Sequence, residues 1–183
     1  MDNVMLGLRQ KTQVTAVIKK MAIRYKVVLA LAICVALAAV LLSLGWMSPA
    51  KDHVARGDSL VKLQQWDEAI AAYTMAVIID PKYVVAYNNR GYACAQKGHY
   101  DKAIADYNRA IEIDPEYARA YNNRGFAYDN YRDYNLAIAD YTRAISIDPD
   151  YVTAYYNRGF AYRSTGEISK ADADFRMAAW YIP

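Results

Sequence analysis

The feature that most constrains the fold is an internal repeat with a period of 34 residues, which runs through most of the chain. Each period carries one glycine and one proline marker at a fixed step: Gly91, Gly125 and Gly159, and Pro81, Pro115, Pro149 and Pro183. A fixed period in this range indicates a stack of similar supersecondary units, because each unit buries its apolar face only against its neighbours.

One period, residues 84–117, contains two apolar stripes with helical spacing. Gly98 lies between the stripes and is expected to supply the left-handed residue that ends the first helix. Asp114 and Pro115 are expected to end the second helix, because proline disfavours a helical residue before it. The unit is therefore predicted to be helix, turn, helix, turn.

This pattern resembles the tetratricopeptide repeat family. The resemblance rests on small, aromatic and proline positions of each unit, which in this period are Tyr87, Gly91, Ala103, Tyr107, Ala110 and Pro115. It implies an all-α fold, a right-handed superhelical solenoid of helix-turn-helix repeats. The repeats are predicted at 50–83, 84–117, 118–151 and 152–183, preceded by a basic segment at 1–26 and a transmembrane helix at 27–47.

An arginine recurs where the family usually has leucine, at Arg56, Arg90, Arg124 and Arg158. Burying an unpaired arginine would be very costly. Aspartates follow sixteen residues after the last three arginines, at Asp106, Asp140 and Asp174. We therefore predict Arg–Asp pairs within or between neighbouring units. Ala72 occupies the aspartate position of the first unit, so Arg56 must reach solvent or another partner.

The segment from Val27 to Met47 contains no charged residue. In a helix it would extend for about 31 Å, which is enough to cross the hydrocarbon core of a bilayer. Six basic residues and one acid precede it, so the positive-inside rule predicts a cytoplasmic N-terminus and extracytoplasmic repeats. Cleavage of a signal peptide near Ser48, which would give a secreted protein, is the alternative.

The sequence offers no motif for catalysis. It contains no glycine-rich phosphate loop and no nucleophile elbow, and its two cysteines and two histidines lack companions at metal-ligand spacing. The repeat region is mildly acidic and has no basic stripe, which argues against nucleic acid. We expect no enzyme activity, no metal and no cofactor.

The family resemblance implies a concave groove lined by the first helix of each unit. The residues expected to bind a partner there are Asn88, Asn89, Tyr92, Gln96, Arg119, Asn122, Asn123, Phe126, Asn130, Tyr156, Asn157 and Phe160. Asparagine both donates to and accepts from a peptide backbone, and aromatic side chains offer apolar area at low entropic cost.

The predicted function is a membrane-anchored scaffold that binds a peptide or helix of a partner protein. The alternative is a structural subunit that oligomerises through the last helix, where Met177, Trp180 and Tyr181 leave an apolar side uncovered. Self-association through Trp180 and Tyr181 is expected in that case.

Overall fold

The computed structural model describes residues 49–180, together with positions 21, 25, 26, 28, 29, 33 and 36. Residues 49–180 contain eight α-helices and no strand, which confirms the all-α prediction for this part of the chain. The helices are α1 (Pro49–Lys62), α2 (Trp66–Ile79), α3 (Val84–Gln96), α4 (Tyr100–Ile113), α5 (Ala118–Asn130), α6 (Tyr134–Ile147), α7 (Val152–Ser164) and α8 (Ile168–Trp180).

The helices pack as a solenoid of antiparallel pairs. Within each repeat the first helix contacts the second, and each second helix then contacts the first helix of the next repeat. The first helices of adjacent repeats, α1 with α3, α3 with α5 and α5 with α7, also touch. Every contact between these eight helices therefore lies within one repeat or joins neighbouring repeats, as expected for a linear stack.

In each repeat, a glycine on the first helix lies against an aromatic ring on the second helix. In the third repeat, a Cβ placed on Gly125 would lie 2.8 Å from Cε1 of Tyr141. Tyr141 is fully buried, and the alanines around it, such as Ala137 and Ala144, have no exposed surface. The absence of a side chain at Gly125 is what allows α5 to approach the ring on α6 this closely.

The turn after each first helix uses a left-handed residue at the same position of every repeat. Gly98 has φ 75° and Gly166 has φ 83°, which confirms the prediction for Gly98. Gln64 and Arg132 occupy the corresponding positions in the other two repeats with φ 58° and 62°. The repeat geometry thus imposes this conformation even where the residue carries a side chain.

The chain divides into two compact units, residues 1–48 and 49–183. In the first unit the described positions are helical and exposed to solvent. Apart from positions 28, 29, 33 and 36, the predicted membrane segment 27–47 lies outside the described residues, as does Ser48. Among the residues that the structure describes, no helix is both long and apolar enough to span a membrane.

Candidate partner-binding groove

Three bidentate ion pairs fasten the two helices of the later repeats. In the third repeat, Nε and Nη2 of Arg124 donate to the two carboxylate oxygens of Asp140 at 2.8 and 2.7 Å. Arg90 pairs with Asp106 in the same way, and so does Arg158 with Asp174. The predicted Arg–Asp pairs are thus confirmed, and each lies within one repeat.

The same arginines also reach the preceding repeat. Nη1 of Arg124 donates to Oδ1 of Asn108 on α4 at 2.6 Å, and Nη1 of Arg158 donates to Oγ1 of Thr142 on α6 at 3.1 Å. The hydrogen bond to Asp140 raises the pKa of the Arg124 guanidinium against the opposing effect of burial. Arg56, which has no aspartate partner in its repeat, is exposed to solvent as predicted.

A continuous chain of amide hydrogen bonds crosses the repeats on the first helices. Nδ2 of Asn123 donates to Oδ1 of Asn88 in the preceding repeat at 3.0 Å, and Nδ2 of Asn157 donates to Oδ1 of Asn122 at 3.0 Å. Adjacent amides complete the path, since Nδ2 of Asn122 donates to Oδ1 of Asn123 at 3.3 Å and Asn88 donates likewise to Asn89 at 3.0 Å. We call this path the amide ladder.

The amide ladder ends on a carboxylate in the first repeat. Oδ1 of Asp58 accepts from Nδ2 of Asn89 at 3.0 Å and from the hydroxyl of Tyr73 at 2.7 Å. Burial, together with the hydrogen bond to Asp58 and the charge of this carboxylate, raises the pKa of the Tyr73 hydroxyl well above its usual range. The Tyr73 hydroxyl therefore remains protonated and donates to Asp58. Together, these hydrogen bonds connect all four repeats in one direction along the first helices.

Exposed aromatic side chains follow the amide ladder, with one in each of the second, third and fourth repeats. Tyr92, Phe126 and Phe160 are 39, 41 and 50% exposed, although each belongs to a packed helix. Phe160 also contacts Tyr156 and Phe175, with ring centroids 6.1 and 5.2 Å away. We call the surface across α3, α5 and α7 that carries Tyr92, Phe126 and Phe160 the groove.

A depression of about 230 Å³ lies in the middle of the groove. Its lining is Tyr92, Ala95, Gln96, Tyr107, Asn122, Asn123, Phe126, Thr153 and Asn157. The lining contains no Asp, Glu, Lys, Arg or His and so carries no charge at neutral pH, and burial raises the pKa of the Tyr107 hydroxyl further above neutrality. The depression thus offers apolar and amide surface from three consecutive repeats.

Two of the predicted site asparagines are almost wholly buried. Asn88 and Asn122 are only 2 and 5% exposed, and their amides are engaged in the ladder, although Asn122 also contributes to the lining of the depression. Asn89, Asn123 and Asn157 are half-buried and reach the surface. The remaining predicted residues are exposed: Tyr92, Gln96, Arg119, Phe126, Asn130, Tyr156 and Phe160.

Asn130 is exposed but already engaged. Its Nδ2 donates to the backbone carbonyl of Phe126 at 2.8 Å, and its Oδ1 accepts from the Tyr100 hydroxyl at 3.0 Å. Among the predicted residues, those that the structure brings together around the depression are Tyr92, Gln96, Asn122, Asn123, Phe126 and Asn157. Neither Asn130 nor Arg119 lines it.

Ala95, Tyr107 and Thr153 line the depression but are absent from the predicted site. Helical spacing could have identified two of them, because Ala95 follows Tyr92 by three residues and Thr153 precedes Asn157 by four. Tyr107 carries no such signal, since it belongs to a second helix and its ring is almost wholly buried. In residues 49–180 and the isolated described positions, no group of His, Cys, Asp and Glu is arranged to hold a metal ion.

The last helix ends with a large exposed side chain. Trp180 is 84% exposed, and Ile168 and Met177 on the same helix are 53 and 41% exposed. Tyr181, which was predicted to share this surface, lies outside the described residues. The position that holds Ile70, Ile104 and Ile138 in the first three repeats is Asp172 in the fourth. Helix α8 therefore carries a polar residue where the second helices of the earlier repeats carry isoleucine.

Comparison with solved structures finds the same architecture in other proteins. The chain is 28% identical to MamA, with 72% of each chain covered and a TM-score of 0.65. It is 26% identical to the TPR domain of Arabidopsis OM64, with 63% of this chain and 95% of that one covered and a TM-score of 0.62. The second TPR domain of Spaghetti (RPAP3), solved with the HSP90 peptide SRMEEVD, is 31% identical, with 55% of this chain and 94% of that one covered and a TM-score of 0.54.

No curated protein sequence matches the chain significantly. A sequence profile described as TPR repeat does match it, at residues 57–98, 91–130 and 133–166, which together are more than half of the chain. With the repeated helix pairs and the solenoid packing, this match shows that the chain belongs to the tetratricopeptide repeat (TPR) family.

Proposed function

We propose that the repeat domain binds an extended, uncharged segment of a partner polypeptide in the groove. The observation that carries this proposal is the stripe of exposed aromatic side chains, Tyr92, Phe126 and Phe160, along an uncharged depression. Apolar side chains that stay exposed along one face commonly mark an interaction site, and aromatic anchors dominate the energetics of many protein interfaces.

The amide ladder supports an extended partner backbone. An asparagine amide nitrogen carries two hydrogens, and the ladder uses one of them at each of Asn89, Asn123 and Asn157. Because these three side chains are half-buried, the second N–H group is within reach of a carbonyl on a bound chain. One such donor per repeat suits a backbone that runs along the groove.

One structural neighbour supports a peptide ligand. The second TPR domain of Spaghetti (RPAP3) was solved bound to the HSP90 peptide SRMEEVD, and it is 31% identical to this chain. That peptide is acidic, whereas the depression in the groove is lined by uncharged side chains. The partner segment proposed for this protein is therefore neutral.

Selection of peptides from a random library tests the proposal. We expect peptides selected on the full chain to bind with a dissociation constant that rises at least about tenfold in an Asn123→Ala/Phe126→Ala variant, since interface anchors contribute about 2 kcal/mol or more. Fluorescence anisotropy of labelled peptides measures the change.

Tyr131→Ala is the matched control, because Tyr131 is 44% exposed and caps the C-terminus of α5 but does not line the groove depression. Peptide affinity should stay within about twofold of the wild type in this variant. Equal binding to the wild type and to the Asn123→Ala/Phe126→Ala variant would refute groove binding.

We propose that the partner is held at a membrane through residues 27–47, with a cytoplasmic N-terminus and extracytoplasmic repeats. The support is the charge-free apolar run preceded by six basic residues and one acid. Retention of the full-length chain in the membrane pellet after alkaline extraction would agree with an anchor. Release of a chain that begins near residue 49 would instead indicate cleavage and secretion.

We propose no enzyme activity for this chain and a binding role only. A second candidate role is assembly through α8, which is favoured by the 84% exposure of Trp180. Sedimentation of the full chain against a Trp180→Ser variant distinguishes the two. Loss of an oligomer in the variant, with peptide binding unchanged, would support assembly.

A further inference from the structure

A second depression lies away from the groove, between α2, α3 and α4. It measures about 330 Å³ and is lined by Ile70, Thr74, Arg90, Cys94, Lys102, Ala105 and Asp106. Cys94 is its most deeply buried apolar residue at 4% exposure, whereas Lys102 and Ala105 are exposed at its rim. Cys94 follows Tyr92 by two residues, which places it about 200° around the helix from the groove aromatics.

The third and fourth repeats carry a larger residue at the position of Cys94. One period after Cys94 stands Tyr128, and one period later stands Tyr162. Tyr128 packs against the buried cluster of Ala137, Tyr141 and Ala161. The second repeat therefore has a small thiol where its two successors have a phenol ring.

In the fourth repeat, the ring of Tyr162 occupies the position that corresponds to Cys94. The ring of Tyr162 has the guanidinium carbon of Arg158 at 5.8 Å from its centroid and Nζ of Lys170 at 5.2 Å. Both distances are within the range of a cation–π interaction. The ring is thus accompanied by two cations, one from the first helix and one from the second.

The second repeat has both cations in the corresponding sequence positions. Arg90 corresponds to Arg158, and Lys102 corresponds to Lys170 two periods later. Arg90 is fixed by its bidentate bonds to Asp106 at 2.9 and 2.6 Å, as Arg158 is by Asp174. Lys102 forms no ion pair with any of the described residues.

We propose that the depression beside Cys94 is a binding site for a single aromatic ring of about the size of phenol. The incoming ring would occupy the place that Tyr162 fills in the fourth repeat, against Ile70 and Cys94, with Arg90 and Lys102 beside it. A depression of 330 Å³ accommodates a ring of this size together with the group that carries it. This site does not share residues with the groove depression, so a negative result here would not affect the proposed function.

Titration of the full chain with p-cresol, which reproduces the tyrosine side chain, tests the site. Amide ¹H–¹⁵N spectra are expected to show saturable shifts centred on Cys94 and Lys102 at millimolar p-cresol. The non-aromatic analogue 4-methylcyclohexanol has a similar shape without the π system. It should produce clearly weaker shifts, because the contribution of the cations requires an aromatic face. Equal binding of the two compounds would overturn the assignment to an aromatic ring.

Two variants fill the depression in different ways. Cys94→Tyr restores the residue of the third and fourth repeats, and Ala105→Leu narrows the exposed rim without entering the core. Each is expected to weaken p-cresol binding at least tenfold while the thermal midpoint stays at or above that of the wild type. Saturable shifts that persist unchanged in both variants, or their absence in the wild type, would overturn the proposal.

Lys102→Met tests the part played by the cation. Methionine keeps most of the aliphatic stem and removes the charge, so binding is expected to weaken about two- to fivefold. A tyrosine-containing and an otherwise identical leucine-containing peptide then distinguish the source of the ring. Displacement of p-cresol by the first peptide alone indicates a side chain of a partner polypeptide, and displacement by neither indicates a free small molecule.

Discussion

Asn123 and Asn88 belong to successive repeats, and Nδ2 of Asn123 donates to Oδ1 of Asn88 across a separation of 35 residues in sequence. The separation exceeds the repeat period by one, so the sixth position of one repeat bonds to the fifth position of the repeat before it. Asn157 and Asn122 follow the same rule. This offset converts a row of similar side chains into one connected set of hydrogen bonds.

Asn88→Ala should destabilise the repeat domain by about 1–3 kcal/mol, because it removes the buried acceptor of Asn123 and the donor to Asn89. Urea unfolding followed by circular dichroism at 222 nm measures the loss. Asn135→Ala, at an exposed asparagine on α6, is the matched control and should change stability by less than about 0.5 kcal/mol. Equal effects of the two substitutions would show that the ladder contributes no stability.

The Arg124–Asp140 pair should show strong energetic coupling. The side chains are 19 and 9% exposed, so Arg124→Met would leave a buried carboxylate without its cation and cost about 3 kcal/mol or more. The double variant with Asp140→Asn should cost at least about 1 kcal/mol less than the sum of the single changes.

The exposed ion pair between Arg143 and Glu116 is the control for this double-mutant cycle. These side chains are 45 and 69% exposed, so their coupling should stay below about 1 kcal/mol. Additive effects at Arg124 and Asp140, within the error of the unfolding measurements, would contradict a structural role for the buried pair.

Much of this architecture follows from the sequence because the repeat provides several copies of each clue. One arginine sixteen residues before an aspartate would have little meaning, but three copies in phase predicted the ion pairs that the structure has. Gly98 was likewise predictable, since a residue between two helical stripes must reverse the chain. These features are set within one repeat, where sequence spacing fixes which faces meet.

Features set between repeats were not predictable in the same way. Asn88 and Asn89 are adjacent in sequence and both were expected to line the groove, yet one is buried and the other reaches the surface. The rotation of one repeat on the next decides which amide meets a neighbour, and one period of sequence does not specify that rotation. The opening beside Cys94 also depends on this packing, because it is bounded by helices of two repeats.

Gly125→Ala should destabilise the third repeat by about 1–3 kcal/mol, because its new Cβ would lie 2.8 Å from the buried ring of Tyr141. Thermal unfolding of the full chain measures the effect. Adding Tyr141→Leu should recover part of the loss relative to additive single effects, since the smaller side chain leaves room for the methyl group. Strict additivity would show that the glycine is not required by this contact.

Peptides that bind the groove should do so with little dependence on salt. The depression is lined by uncharged side chains, so an increase in sodium chloride from about 50 to 500 mM should change the dissociation constant less than about threefold. Anisotropy titrations of the selected peptides at the two salt concentrations provide the measurement. A loss of affinity of tenfold or more would indicate that surrounding charges such as Arg119 dominate recognition.

Asp129 offers a stabilising substitution with a defined dependence on pH. Its Oδ1 is buried and has no hydrogen-bond partner among the residues that the structure describes, and desolvation raises the pKa of this carboxyl above the ordinary value of 3.8. The folded state therefore binds the proton more tightly than the unfolded chain does, and the charged form costs stability at neutral pH. That cost disappears as the pH falls through the raised pKa toward 3.8. Asp129→Asn should consequently stabilise the protein at pH 7, by up to about 1 kcal/mol because the half-buried side chain is partly screened by solvent.

The gain from Asp129→Asn should shrink as the pH falls and vanish below about pH 4, where the wild-type carboxyl is also neutral. Urea unfolding of the wild type and the variant across this range measures the difference. Asp172→Asn is the control, because Asp172 is exposed on α8 and its substitution should leave the difference near zero at every pH. A gain that persists unchanged at pH 4, or a variant less stable than the wild type at pH 7, would mean that the Asp129 carboxylate is better solvated than its burial indicates.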